Sequence, residues 1–285
     1  MTLKQKPIRR ISIVVLTLVV TSAYVGIAHA EFKTHEATAT PPEKPVFVCP
    51  PCGCGSDAKT FDAPGECPDC GMGLVPKGPQ QKPRFVALVV FSGVEILDLA
   101  GPAEVFAATQ GSNGHEFQAF TVAADSEEVE ANSSVMTIKP EYTIENCPKT
   151  DVVVIPGGNV DSMLRNEKMM AWIKQRAAES EIVMSVCNGA MVLAKAGLLE
   201  GLEATTHHGA IEHLRRIALG TRVVSGKRYV DSGKIITAAG VSAGIDAALH
   251  VVERFHGTEV ADNTARYMEH DRRKEGKSAG SQSGR

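Results

Sequence analysis

The stretch Glu181-Ile-Val-Met-Ser185-Val-Cys187-Asn-Gly-Ala190 decides how this chain folds. An apolar run ends, one thiol appears, and small residues open a predicted helix from Asn188 to Lys195. So tight a strand-to-helix turn needs small neighbours, and Ser185 and Gly189 supply them two positions either side of Cys187. This is the pattern of a nucleophile elbow with Cys in place of Ser. A thiol at a helix N-terminus meets the positive end of the dipole and free backbone N–H groups, so Cys187 is expected to favour the thiolate. A buried structural Cys is the alternative that the residues leave open.

Outward from the elbow, strands and helices alternate. Phe85 to Phe91 is an unbroken apolar strand, of the kind buried on both faces of a parallel sheet. Glu95 to Thr109 reads as a helix, Phe117 to Ala123 as a strand, and Asp151 to Ile155 as a strand ending in Pro156-Gly157-Gly158. A helix over Lys168 to Glu179 precedes the elbow strand, Ile182 to Val186. Tyr229 to Asp231 and Lys234 to Ala238 read as a hairpin, followed by helices over Val241 to His256 and Thr258 to His270. The alternation predicts an α/β domain over 84–270, a doubly wound, mostly parallel, flavodoxin-like sheet.

The remaining chain divides by composition. Residues 1–30 read as a secretory signal: basic Lys4, Lys6, Arg9 and Arg10, then apolar Ile11 to Val20, then the small-x-small site Ala28-His29-Ala30. The apolar run falls short of the roughly 20 residues of a membrane span, so cleavage and a periplasmic location are expected, with an uncleaved anchor as the alternative. Without the signal, 26 basic residues face 33 acidic ones, a net charge of −7. That balance, with no helix-turn-helix, excludes nucleic acid as the expected partner. Residues 31–46 and 77–83 read as linkers, 47–76 as a small cysteine-rich module, and 271–285 as a disordered tail.

Open α/β sheets place their sites at the carboxyl ends of the strands. Three segments converge there: the elbow, Pro156-Gly157-Gly158, and Gly93-Val-Glu-Ile-Leu-Asp98-Leu-Ala-Gly-Pro102. Free N–H groups of Gly157, Gly158 and Asn188 are expected to stabilise a developing anion beside the thiolate. Asp98 brings an acid to the same edge; a helix cap is its plainer role.

Four ordered motifs, 91–102, 151–158, Ser185-Val-Cys-Asn-Gly-Ala190 and Ala204-Thr-Thr-His207, resemble the ThiJ/PfpI superfamily of the class I glutamine amidotransferase-like fold. The runs 196–201 and 235–246 add to the likeness, which spans Arg84 to Gly257. Within it the chain is most similar to the isonitrile hydratase-like subgroup, where Asp98, Cys187 and Thr205-Thr206-His207 match. That subgroup carries Thr where this chain has Asn188, which leaves the substrate open. The protease-like branch has His directly after the Cys, and its absence argues against peptidase activity.

The resemblance implies attack of Cys187 on a small C–N substrate such as an isonitrile, a covalent thioimidate, and release of a formamide, with no catalytic cofactor. Asp98 is expected to donate a proton and then activate water, its pKa raised by the thiolate and partial burial. His207 is a third candidate, with a structural role as its alternative. His208 and His213 read as surface residues, and Cys147 has no assigned role. Glyoxalase- or deglycase-like chemistry on reactive carbonyls fits the same thiol and acid. The superfamily also implies a homodimer.

In the module, Cys49-x-x-Cys52-x-Cys54 is followed after twelve residues by Cys67-x-x-Cys70. Two such knuckles bring thiolates to one tetrahedral point. About thirty residues build no core alone, so metal or disulfides must hold them. The five cysteines suit zinc or cuprous copper, with Cys52 or Cys54 as the spare thiol; disulfides remain the alternative. Residues 61–75 resemble the short heavy-metal-binding domain found beside periplasmic metal-efflux components, which has Met-His where this chain has Pro51-Cys52. That resemblance implies contact with metal-handling envelope proteins. It also supports a competing function, a metal- or oxidant-responsive protein with a reversibly oxidised Cys187.

Overall fold

The computed structural model describes residues 45–50, 52–56, 59–77, 82–111 and 114–273. The expected signal peptide, most of the first linker, the centre of the second and the end of the tail lie outside the described residues.

Seven strands form the central sheet: β1 (Arg84–Val89), β2 (Phe117–Ala123), β3 (Tyr142–Thr143), β4 (Val152–Ile155), β5 (Ile182–Ser185), β6 (Tyr229–Ser232) and β7 (Ile235–Ala238). Their order is β3-β2-β1-β4-β5-β7-β6. Every pair is parallel except β6 with β7. Strand β7 is buried along its whole length, and β1 is buried over its last four residues. All of β4 and β5 is buried, as continuous apolar runs between two helical layers must be. Truncating a fully buried side chain such as Met184 to Ala should cost about 2–5 kcal/mol.

Register places the site. Ile155 pairs with Ser185, and Ser185 with Thr237, so β4 and β5 end level and β7 runs one residue further. The turns after them leave from one edge. Helix α1 (Ile96–Ala108) starts at that same edge, after β1. The other helices are α2 (Asp161–Arg165), α3 (Glu167–Glu179), α4 (Ala190–Lys195), α5 (Ile211–Ile217) and α6 (Ala243–Tyr267). Gly101 lets α1 and α6 approach closely, for a Cβ there would stand 2.9 Å from Ile245 Cγ1. Helix α6 is interrupted at Gly257, whose φ of 85° and ψ of 168° are not helical. The two expected helices are therefore two arms joined at the glycine.

One local reading needs correction, and one strand was missed. A helix directly from Asn188 is not what forms: residues Cys187–Gly189 make a 3-10 turn, and α4 has six residues. The edge strand β3, two residues long, gave no sequence signal.

The cysteine-rich module has three two-residue strands, Phe47–Val48 pairing with both Thr60–Phe61 and Val75–Pro76. Its small core is Cys49, Cys67, Met72 and Leu74, while Val48 and Val75 join the main core. The module rests on the second arm of α6. Gly73 N donates to Asn263 Oδ1 at 3.1 Å and Asn263 Nδ2 donates to Gly73 O at 3.0 Å. Arg266 Nη1 adds a bond to Gly71 O at 2.7 Å.

Candidate active site and metal centre

Cys187 has a φ of +56°, a conformation that costs a non-glycine residue energy and is held only by its surroundings. Its N–H donates to Ala239 O at 2.8 Å, and its carbonyl accepts from Thr206 Oγ1 at 2.7 Å. Both backbone groups of the elbow are thus pinned by the ends of neighbouring segments. Gly189 allows the turn, because a Cβ there would lie 2.3 Å from Ile155 O.

The thiol of Cys187 faces the carboxyl of Asp98. Asp98 is 0% exposed on the first turn of α1 and accepts from Gly157 N at 2.9 Å through Oδ2. Its Oδ1 is buried with no hydrogen-bond partner. Burial raises its pKa to about 6, reinforced by Glu95 and opposed by the Gly157 and Val241 N–H groups and the Cys187 thiol. The expected direction holds, but the cause is complete burial with Glu95, and the thiol acts the other way.

The expected thiolate is corrected. Burial and the charge of Asp98 push the Cys187 thiol up to about 12, against the pull of the Asn188 N–H. A 3-10 turn and a six-residue helix supply too little dipole to offset a carboxylate beside a half-buried sulfur. Burial and Asp98 thus hold the proton on sulfur more tightly than on the carboxyl, so Asp98 ionises ahead of Cys187.

The glycine loop is also different from its reading. Gly157 N is taken by Asp98, and Gly158 N donates to Asn188 Oδ1 at 2.8 Å, so neither N–H stands free. Asn188 Nδ2 returns a bond to Gly158 O at 2.8 Å. The Asn188 side chain thus clamps the loop, while its N–H points at the thiol. Gly157 must lack a side chain: a Cβ would fall 2.3 Å from Asn188 Oδ1, 2.7 Å from Asp98 Oδ2 and 2.8 Å from Cys187 Cβ.

His207 follows Thr206, which bonds the elbow carbonyl, yet its own ring bonds elsewhere. Its Nδ1 accepts from Gly209 N at 3.2 Å, and its ring lies 4.1 Å from that of His208. Burial and the neighbouring His208 lower its pKa. His208 is exposed, and His213 meets Arg216 on α5. Buried Cys147 hydrogen-bonds Pro148 O at 3.3 Å.

Two residues here had not been singled out. Glu95 adds negative charge beside both Asp98 and Cys187, and its carboxylate is oriented by Asn132 Nδ2 at 3.0 Å. Its place three residues before Asp98 at a helix start was a usable signal. Val241 offers its N–H to Asp98 from a strained φ of 50°, for which no sequence signal exists in a β-branched residue.

In the module, the sulfurs of Cys49, Cys54, Cys67 and Cys70 lie within 4.8 Å of one another. Adjacent pairs are 3.6–3.8 Å apart: Cys49 to Cys70 3.6 Å, Cys49 to Cys54 3.8 Å, Cys54 to Cys67 3.8 Å. Four thiolates about 2.3 Å from one tetrahedral ion stand about 3.8 Å apart, so the set fits a soft ion such as zinc. Burial opposes ionisation of Cys67, but the N–H groups of Asp69 and Cys70 bring it down to about 6. Such N–H···S bonds stabilise a ligating thiolate.

Comparison with known proteins places this geometry. Residues 84–254 match the model of the DJ-1/PfpI family, and residues 46–77 that of the heavy metal binding domain. The isonitrile hydratase of Pseudomonas putida is 34% identical over 180 residues, 62% of this chain and 74% of that protein. A deglycase of Pyrococcus horikoshii is 26% identical over 117 residues, 40% of this chain and 66% of that protein. A ThiJ/PfpI family crystal structure from Pseudomonas syringae superposes with a TM-score of 0.61 at 26% identity, covering 72% of this chain and 82% of that one. With its elbow cysteine, its buried aspartate and its sheet order, this chain belongs to the DJ-1/PfpI family and carries a heavy metal binding domain before it.

Proposed function

We propose that the protein hydrates a small isonitrile to the N-substituted formamide, with Cys187 as nucleophile and Asp98 moving the protons. The observation that carries this reading is the pair of the half-buried Cys187 thiol and the buried Asp98 carboxyl. A thiol and a carboxylate face each other, and Asp98 Oδ1 has no partner. The similarity to an isonitrile hydratase supports the substrate class.

The protonation states set the order of events. Asp98, ionised above about pH 6, takes the thiol proton as Sγ bonds to the terminal carbon of R–N≡C. The proton passes to that carbon, giving the thioimidate R–N=CH–S–Cys187. Asp98 then takes a proton from water as its oxygen adds to the same carbon, and the nitrogen is protonated. Collapse of R–NH–CH(OH)–S–Cys187 breaks the C–S bond, returns the proton to sulfur and releases R–NH–CHO. A buried carboxylate near pKa 6 suits a group that both accepts and donates. No step uses a cofactor, and none is routed through His207, whose Nδ1 accepts from Gly209 N.

Incubation with an isonitrile and rapid acid quench tests the scheme. Intact mass should rise by the mass of the isonitrile, on the peptide containing Cys187. Absence of the adduct together with absence of formamide would sink the reading. The deglycase relative gives the second reading: loss of a 2-oxoaldehyde through Cys187, without isonitrile turnover, would move the assignment there.

A further inference from the structure

The fifth cysteine of the module is outside the tetrahedral set, yet it is not remote from it. Cys52 Sγ stands 3.5 Å from Cys70 Sγ and 4.0 Å from Cys49 Sγ. With the 3.6 Å between Cys49 and Cys70, the three sulfurs form a closed triangle. Three thiolates about 2.3 Å from one trigonal ion stand about 4.0 Å apart, so this triangle suits a three-coordinate soft cation as the other four sulfurs suit a tetrahedral one. The two polyhedra share the edge Cys49–Cys70.

We infer that the five thiols form a two-ion site, with Cys49 and Cys70 as bridging thiolates and Cys52 as the ligand that completes the outer position. The inner ion is held by Cys49, Cys54, Cys67 and Cys70. The outer ion is a cuprous ion held by Cys49, Cys52 and Cys70. Zinc prefers four ligands and the triangle offers three, whereas soft monovalent copper is satisfied by thiolates alone. Bridging sulfur also spreads charge: a second cation offsets part of the excess negative charge of five clustered thiolates.

The approach to the outer position is open. A cavity of about 230 Å³ between the module and the helices α1 and α6 is lined by Cys52, Met72, His115 and Glu104. Its thioether and imidazole are further soft and borderline donors on the path to Cys52. Cys70 is exposed, while Cys49 and Cys67 are buried. Of the outer three, Cys52 lines the cavity and Cys70 is exposed, so the outer position is reached through Cys52 and Cys70.

The test is the metal stoichiometry of the full chain, reduced and kept free of oxygen, by native mass spectrometry. Zinc alone should saturate at one ion per chain. Cuprous ion, titrated from a bathocuproine complex, should saturate at two. Cys52→Ser should keep the single zinc ion and lower the cuprous count to one; its retained zinc reports that the module is folded. Saturation of the unsubstituted chain at one cuprous ion would overturn the inference, as would two cuprous ions in Cys52→Ser. If Cys52→Ser failed to fold, the count in the unsubstituted chain would still decide.

Discussion

Asn188 and Gly158 exchange two hydrogen bonds, one in each direction, both 2.8 Å long. The residue after the nucleophile therefore holds the glycine loop against the elbow. That loop in turn places the Gly157 N–H on Asp98. Replacing Asn188 with Ala removes both bonds at once. We expect a loss of about 1–3 kcal/mol in denaturant unfolding, at about 0.5–1.5 kcal/mol per bond, together with lower kcat. An Asn188→Ala protein of unchanged stability would mean that the loop is held by something else.

Gly157→Ala should be worse for the site than for the fold. The added methyl meets Asn188, Asp98 and Cys187 together. Overpacking costs about 1–3 kcal/mol, and relief must come from moving the reacting pair. Turnover should fall by more than the stability loss predicts, which unfolding and kinetics on the same sample would show.

Asp98 makes stability depend on pH in a direction opposite to an ion-paired carboxylate. Its pKa is about 6 in the folded chain against an ordinary 3.8. Between those values the folded state holds a proton that the unfolded state has lost, so stability falls as pH rises. The full difference is about 3 kcal/mol, present below the ordinary carboxylate range and gone above about pH 6. Subtracting the unfolding profile of Asp98→Asn from that of the unsubstituted protein should isolate this slope.

Removing metal from the module should loosen residues 46–77 and spare the α/β domain. The module's own core is four side chains, two of them cysteines, whereas the sheet has an extensive buried core. Limited proteolysis with and without a strong chelator should show new cleavage within the module only. Equal resistance in both conditions would mean that contacts such as Asn263 with Gly73 hold the module without metal.

Much of this was legible in the residues. The unbroken apolar runs became the central strands β1, β4 and β5, and Gly257 marked the break between the arms of α6. The elbow showed through the small residues that its geometry requires. What sequence could not supply was the balance of electrostatic environments. The protonation of Cys187 depends on burial and on where Asp98 and Glu95 end up, and a short helix lost to them. Likewise, glycines expose N–H groups, but only the folded chain reveals that Asp98 and Asn188 occupy those of Gly157 and Gly158. The strained Val241 leaves no trace in a β-branched residue.

The central claim is that the Cys187–Asp98 pair performs chemistry. The most direct measurement is formamide release from a simple isonitrile across pH 4.5 to 8, for the unsubstituted chain beside Cys187→Ala and Asp98→Ala. The account predicts turnover that rises with the ionisation of Asp98, half-maximal near pH 6, and is lost in both variants while both stay folded. Turnover that persists in Cys187→Ala, or none at any pH in the unsubstituted chain, would contradict it.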